Sequence, residues 1–168
     1  SDRQVTLIWG GPNYNGGYTV YGYRVEQSVD GVNWTVLEST EYSGSFTSRG
    51  LTNGVSYRFR VAAVTARGVG EYSFVTSQPN ALALAPQNLS TTAGDGRITL
   101  NWTAPPSSGG LPILGYQVQS WNGSAWYVIL GNSGSTATTV TVPGLTNGTT
   151  LWFRVAAMTS AGVGEVSA

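Results

Sequence analysis

GLTNGVSYRFRVAAVTARGVGEYS, residues Gly50 to Ser73, and GLTNGTTLWFRVAAMTSAGVGEVS, residues Gly144 to Ser167, are two versions of one pattern, offset by 94 positions. The likeness extends outward. VTLIW (Val5–Trp9) matches ITLNW (Ile98–Trp102), and VYGYRVEQ (Val20–Gln27) matches ILGYQVQS (Ile113–Ser120), both at an offset of 93. A nearly constant offset along the chain means one module of about 93 residues, duplicated with small loop insertions and deletions.

Within each copy the apolar residues alternate. Val5, Leu7 and Trp9 share one face of their run, with Thr6 and Ile8 on the other. Tyr57, Phe59, Val61 and Ala63 face one way, and Arg58, Arg60 and Ala62 the other. Period two with β-branched and aromatic residues predicts strands; a helix would need three-and-four spacing. Turn signals fall between the runs at Asp30-Gly31, Asn53-Gly54, Asp95-Gly96, Asn122-Gly123 and Asn147-Gly148. Many short strands with frequent turns predict an all-β sandwich or barrel.

The arrangement resembles the fibronectin type III pattern, twice over nearly the whole chain. It rests on a Trp closing the second strand (Trp9, Trp102), a G-Y-x-V third strand, the G-L-T-x-G turn, R-V-A-A and G-x-G-E-x-S. The resemblance implies two tandem antiparallel β-sandwiches of immunoglobulin-like type. In the family's strand lettering, B is Gln4–Trp9 and Arg97–Thr103, and C is Val20–Gln27 and Ile113–Ser120. C′ starts near Trp34 and Trp126, and E ends before Leu51 and Leu145. F is Val55–Val64 and Thr149–Met158. A of the second module is about Pro86–Thr92, and G of the first runs from about Tyr72 to Ser77.

The expected domains are residues 1–79, a module without its strand A; a short Pro-flanked link at 80–85; and residues 86–168, a module without most of strand G. Two explanations of the unfinished edges stand side by side: a window on a longer array, or strands donated by neighbouring copies. Pro79 and Pro86 restrict the link toward an extended, semi-rigid connection, the feature that speaks for a spacer. The resemblance also implies a Tyr six residues after the G-L-T leucine, whose hydroxyl pins the E–F corner to backbone. Tyr57 fits, but Leu151 in the second copy cannot form that bond, so the corner is expected to be looser there unless packing compensates.

Composition removes several function classes. Of 168 residues, 40% are hydrophobic, enough for a packed core, and only 10% are charged, with zero net charge. A neutral chain has no electrostatic footprint for nucleic acid or anionic membranes, and the apolar runs are far too short for a membrane span. Without Cys or His there are no disulfides, thiol nucleophiles, imidazole bases or Cys/His metal sites. No cofactor is expected. All eight basic residues are Arg. Strands rich in Thr, Ser, Asn and Tyr suit an extracellular setting, at a cell or virion surface.

The acidic residues are scattered rather than paired, which argues against an enzyme. Asp30 and Asp95 sit in turns. Glu26 and Glu38 are read as outward-facing on C and C′, and their second-copy counterparts are Gln119 and Leu130. Glu71 and Glu165 recur after G-V-G, either as solvated strand starts or in salt bridges with Arg60 and Arg154. The aromatics remain. Trp34 and Trp126 recur at matching positions and read as packing. Trp152 stands at the outward Arg58 position, Trp121 in the C–C′ turn region, and Tyr14, Tyr18 and Tyr21 around the B–C loop. These five are the candidate contacts for a sugar or a protein; alternatively Trp121 and Trp152 cover each other. Trp9, Trp102, Tyr57, Leu51 and Leu145 are structural candidates.

The leading expectation is a structural spacer or display segment of an extracellular or virion-surface repeat protein, in a bacterial or phage style. Its partners would be neighbouring modules, surface proteins or glycans, with a homo-oligomer or filament open to it. The alternative is a carbohydrate-binding adhesive module, including the accessory part of a secreted polysaccharide-degrading enzyme.

Overall fold

The computed structural model describes residues 2–41 and 43–168, which divide into two compact units, Ser1–Asn80 and Ala81–Ala168. In the first, β1 (Gln4–Ile8), β2 (Val20–Ser28), β3 (Thr35–Glu41), β4 (Ser45–Arg49), β5 (Tyr57–Thr65), β6 (Gly68–Val69) and β7 (Ser73–Ser77) form two antiparallel sheets. One pairs β1 with β4; the other runs β3-β2-β5, with β6 and β7 both on the far edge of β5. The second unit contains β8 (Gln87–Gly94), β9 (Arg97–Thr103), β10 (Gly115–Trp121), β11 (Trp126–Leu130), β12 (Thr139–Pro143), β13 (Phe153–Thr159) and β14 (Gly162–Val166). Its sheets are β12-β9-β8 and β11-β10-β13-β14. The all-β reading and the two-sheet sandwiches are as expected from alternation.

Alternation puts one side of each strand into a core. Val5 and Leu7 from β1 meet Val25 from β2, Tyr57 and Phe59 from β5, and Leu51. In the second unit Leu100 and Trp102 from β9 meet Tyr116, Val118, Phe153, Val155 and Ala157. Trp9 and Trp102 set their indole edges against Tyr23 and Tyr116, with centroids 5.5 and 4.9 Å apart. On the outer side of the smaller sheets a threonine pair repeats, Thr6 with Thr47 and Thr99 with Thr141, each at 3.0 Å across neighbouring strands.

The Asn of G-L-T-N-G has a tertiary task. In the first unit Asn53 Oδ1 accepts from Arg3 N–H and its Nδ2 donates to Asp2. In the second, Asn147 Oδ1 accepts from Gly96 N–H and its Nδ2 donates to Asp95. The leucines add backbone bonds, Leu51 N–H to Arg3 O and Leu145 N–H to Gly96 O, both 2.9 Å. The turn before β1 and β9 is thereby latched to the corner before β5 and β13. Its second residue is left-handed in both copies, Gly96 at φ 58° and Arg3 at φ 50°, a conformation natural only to the glycine.

Tyr57 does what the resemblance implied: its hydroxyl accepts from Thr52 N–H at 3.0 Å. At the matching place in the second unit a cavity is lined by Ile98, Leu145, Thr146 and Leu151. The Asn147 latch bonds that corner to the preceding turn, as the Asn53 latch does in the first unit. Tyr57→Phe is expected to destabilise the first unit by about 1 kcal/mol, and Leu151→Tyr to stabilise the second by a comparable amount by filling the cavity and bonding Thr146 N–H. Urea unfolding of the two variants checks both signs; a loss from Leu151→Tyr would show that the corner has no room for a ring.

The segment read as a link is bonded at both ends. Pro79 is buried and its carbonyl accepts from Gly54 N–H, within the first unit. Within the second, Ala81 N–H donates to Gly109 O, Leu84 N–H donates to Ser107 O, and Ala83 lies fully buried in the core.

Candidate functional site

The outward side of the larger sheet carries the side chains that distinguish the two units. In the first, antiparallel register sets Glu26 opposite Arg60 and Arg24 opposite Ala62. Arg24 lies two residues before Glu26 on β2 and so projects on the same side. Arg24 Nε donates to Glu26 Oε1 at 2.8 Å, and Arg60 Nε donates to Oε2. The Arg60 guanidinium is sandwiched between Trp34 and Tyr72, its Cζ 4.1 and 4.2 Å from the two ring centroids. Phe74 closes the cluster, 5.9 Å from Trp34 and 6.4 Å from Tyr72.

Glu26 reads as outward-facing on its strand. It is on that side, but only 2% exposed, because two arginines and their aromatic cover lie over it. Burial pushes its carboxyl up, and the hydrogen bonds and charges of Arg60 and Arg24 outweigh this and hold it below its ordinary value. Of the two readings of Glu71, the salt bridge with Arg60 is not among the ion pairs of the described residues, where the carboxylate partner of Arg60 is Glu26. The side chain of Glu38 lies outside the described residues. Among the described residues no group of three His, Cys, Asp or Glu is placed to hold a metal ion.

The second unit keeps the frame and changes the chemistry. Gln119 replaces Glu26 and Gln117 replaces Arg24. Arg154 Nε donates to Gln119 Oε1 at 2.7 Å, and Gln119 Nε2 donates to Gln117. Arg154 lies over Trp126, with 4.4 Å from Cζ to the centroid. The residue matching Tyr72 is Val166, so the second aromatic wall of the sandwich is missing. Neither ion pair among the described residues involves Arg154; both are at Glu26.

Two further indoles stand on this face. Trp121 pairs with Trp126 across β10 and β11, rings 5.7 Å apart. Trp152 occupies the Arg58 position and is 57% exposed. Backbone ties its place to Trp121, whose N–H donates to Trp152 O at 3.1 Å. The alternative that Trp121 and Trp152 cover each other is not among the ring contacts of the described residues; the ring against Trp121 is Trp126, tilted at 55°. In the first unit Arg58 instead lies along the β2–β3 turn, against Gly31. That turn is organised by Asp30, which accepts from Ser28 Oγ, Val32 N–H, Asn33 N–H and Asn33 Nδ2. Those bonds hold its carboxyl far below the usual range.

Tyr14, Tyr18 and Tyr21 belong to the first unit and stand apart in character from the tryptophans. Tyr14 is 83% exposed and lines a cleft with Asn13, Arg67 and Glu71, between the loops after β1 and β5. The Tyr18 hydroxyl accepts from Arg67 Nε at 2.9 Å, and Tyr21 is exposed. Sequence reading missed Trp126 and Arg154 as members of the second unit's face, and Tyr72 and Phe74 as the first unit's cover. The available signal was register: once strands C and F are paired, Glu26 meets Arg60 and Gln119 meets Arg154.

The fibronectin type III domain model matches residues 1–78 and 84–168. Human myomesin-2 is 35% identical over 97% of this chain, and mouse fast-type myosin-binding protein C 34% over 95%. The chain spans only 12% and 14% of the length of those relatives. A solved two-domain fibronectin type III segment of chicken tenascin is aligned over 99% of this chain and 90% of its own, at 19% identity and a TM-score of 0.49. The chain belongs to the fibronectin type III domain family, of which it carries two tandem copies.

Proposed function

We propose that the chain is a non-catalytic structural segment, two links of a longer extracellular or virion-surface repeat protein, acting through protein–protein assembly or adhesion. The observation that carries this reading is the match of both halves to one family, with relatives that include the muscle proteins myomesin-2 and myosin-binding protein C. Two separate hydrophobic cores support it, one within each copy. The extracellular or surface setting rests on composition alone: few charges and polar, lysine-free strands. Nothing in the relatives favours a bacterial or phage style over any other.

A carbohydrate-binding reading, including an accessory role beside a polysaccharide-degrading domain, draws on the exposure of Trp152. The five aromatics proposed for it do not form one site within either unit. In the parent protein, deleting residues 1–168 is expected to abolish assembly or attachment while leaving any catalytic turnover intact. Restoration by an unrelated tandem pair of the same length identifies spacing as the role, and failure to restore identifies specific contact. Loss of a turnover with assembly intact would overturn the reading.

A further inference from the structure

We propose that the outward face of the β11-β10-β13 sheet, built from Trp121, Trp126, Trp152 and Arg154, is a protein-docking surface that takes an Asp or Glu carboxylate flanked by apolar side chains. The inference rests on the structural-segment reading above and says where its contact is made.

The argument is the difference between two copies of one frame. In the first unit the arginine on this face is spent internally: Arg60 binds the Glu26 carboxylate and is closed on both sides by Trp34 and Tyr72. The second unit retains the arginine and one tryptophan wall, and has lost both the carboxylate and the opposite wall, to Gln119 and Val166. Arg154 Nε is held by Gln119, which fixes the guanidinium in place. The charge has no carboxylate among the described residues, and Trp126 lies over the group, where Arg60 has two rings.

At the same time Arg58 and Ser28 of the first unit become Trp152 and Trp121. An arginine without a carboxylate, set against Trp126 on a sheet face that also carries Trp121 and the exposed Trp152, is the chemistry of interface hot spots, where Trp and Arg anchors are enriched. The missing partner is defined by what the first unit supplies to its own arginine: a carboxylate, accepting charge-assisted bonds in a setting dried by aromatic rings. Apolar flanks on that partner would cover Trp152 and Trp121. A sugar face could stack on Trp152, but it would not need the arginine charge to be left free.

The test is an NMR titration of the 168-residue chain with acetyl-Leu-Asp-Leu-amide, with acetyl-Leu-Asn-Leu-amide and with sodium glucuronate. The Arg154 Nε–H and the indole N–H signals of Trp126 and Trp152 are followed. The Asp peptide is expected to shift all three and to bind about tenfold more tightly than the Asn peptide, while Arg60 Nε–H stays put. Arg154→Gln should erase the preference, and Arg154→Lys should keep part of it. Equal affinity for the two peptides, no binding of either, or shifts matched by glucuronate would overturn the proposal, the last in favour of a glycan site. None of these outcomes touches the deletion test of the parent protein, so the two readings fail separately.

Discussion

Phe59→Ala is expected to cost the first unit about 3–5 kcal/mol. The ring is fully buried, in a core whose other buried members are Val5, Leu7, Val25, Leu51 and Tyr57. β5 is bonded on both edges, to β2 and to β7, with Phe59 itself opposite Gln27 and Val75. A backbone held from both sides cannot move in to fill the space, so most of the cavity persists. A domain of this size is stable by roughly 4–12 kcal/mol, so the variant sits near the edge of folding. Urea unfolding followed by fluorescence should show one transition moved far toward low denaturant. The transition of the second unit, with its separate core, should stay in place. A change below about 1 kcal/mol would mean that β5 and β2 can close around the missing ring.

Glu26→Ala is expected to cost about 3 kcal/mol near neutral pH. The carboxylate is buried, and two guanidinium groups are positioned by it. Removing it leaves Arg60, between Trp34 and Tyr72, and the neighbouring Arg24 without their shared carboxylate. Arg24 and Arg60 are partly exposed and can turn toward water, which places the loss at the low end for a broken buried pair. Glu26→Gln should cost less, because Gln119 with Arg154 shows the neutral version of the same contact.

The pH dependence has a defined sign. The folded-state pKa of Glu26 is lowered, so its contribution is fully present above the unfolded value near 4.5 and is lost as pH falls through the folded value. The gap in melting temperature between the native chain and Glu26→Gln should be constant from pH 7 to about 5.5 and narrow below that. A gap that widens on acidification would mean that burial, rather than the arginines, governs the group.

How far the sequence reached is visible at particular residues. Alternation within Gly50–Ser73 was sufficient for strand type, core face and duplication, because a side chain's direction on a strand depends only on its parity. Val5, Leu7, Tyr57 and Phe59 were placed by that rule alone, and the E–F tyrosine by its spacing from Leu51. Parity also put Glu26 on the outward side, and there it stopped. Exposure depends on what the neighbouring strands bring to the same spot. Arg60 lies 34 residues away, and Tyr72 and Phe74 arrive only when β7 joins β5.

The same limit applies to Asn53 and Asn147, legible as turn residues but not as latches to the turns some fifty residues earlier. It applies to Gly109 as well, whose place in a Gly-rich stretch does not show why a glycine is needed there. Its φ is +73°, and a Cβ there would land on the Ala81 carbonyl, so the glycine is required by a contact across the unit. What the sequence by itself determined was every property set by a residue and its near neighbours: strand, turn, facing and repeat. Which outward charges are sheltered, and that Arg154 meets Gln119 and Trp126 where Arg60 meets Glu26, was decided by tertiary pairing, because only strand register sets residues distant in the chain within bonding distance.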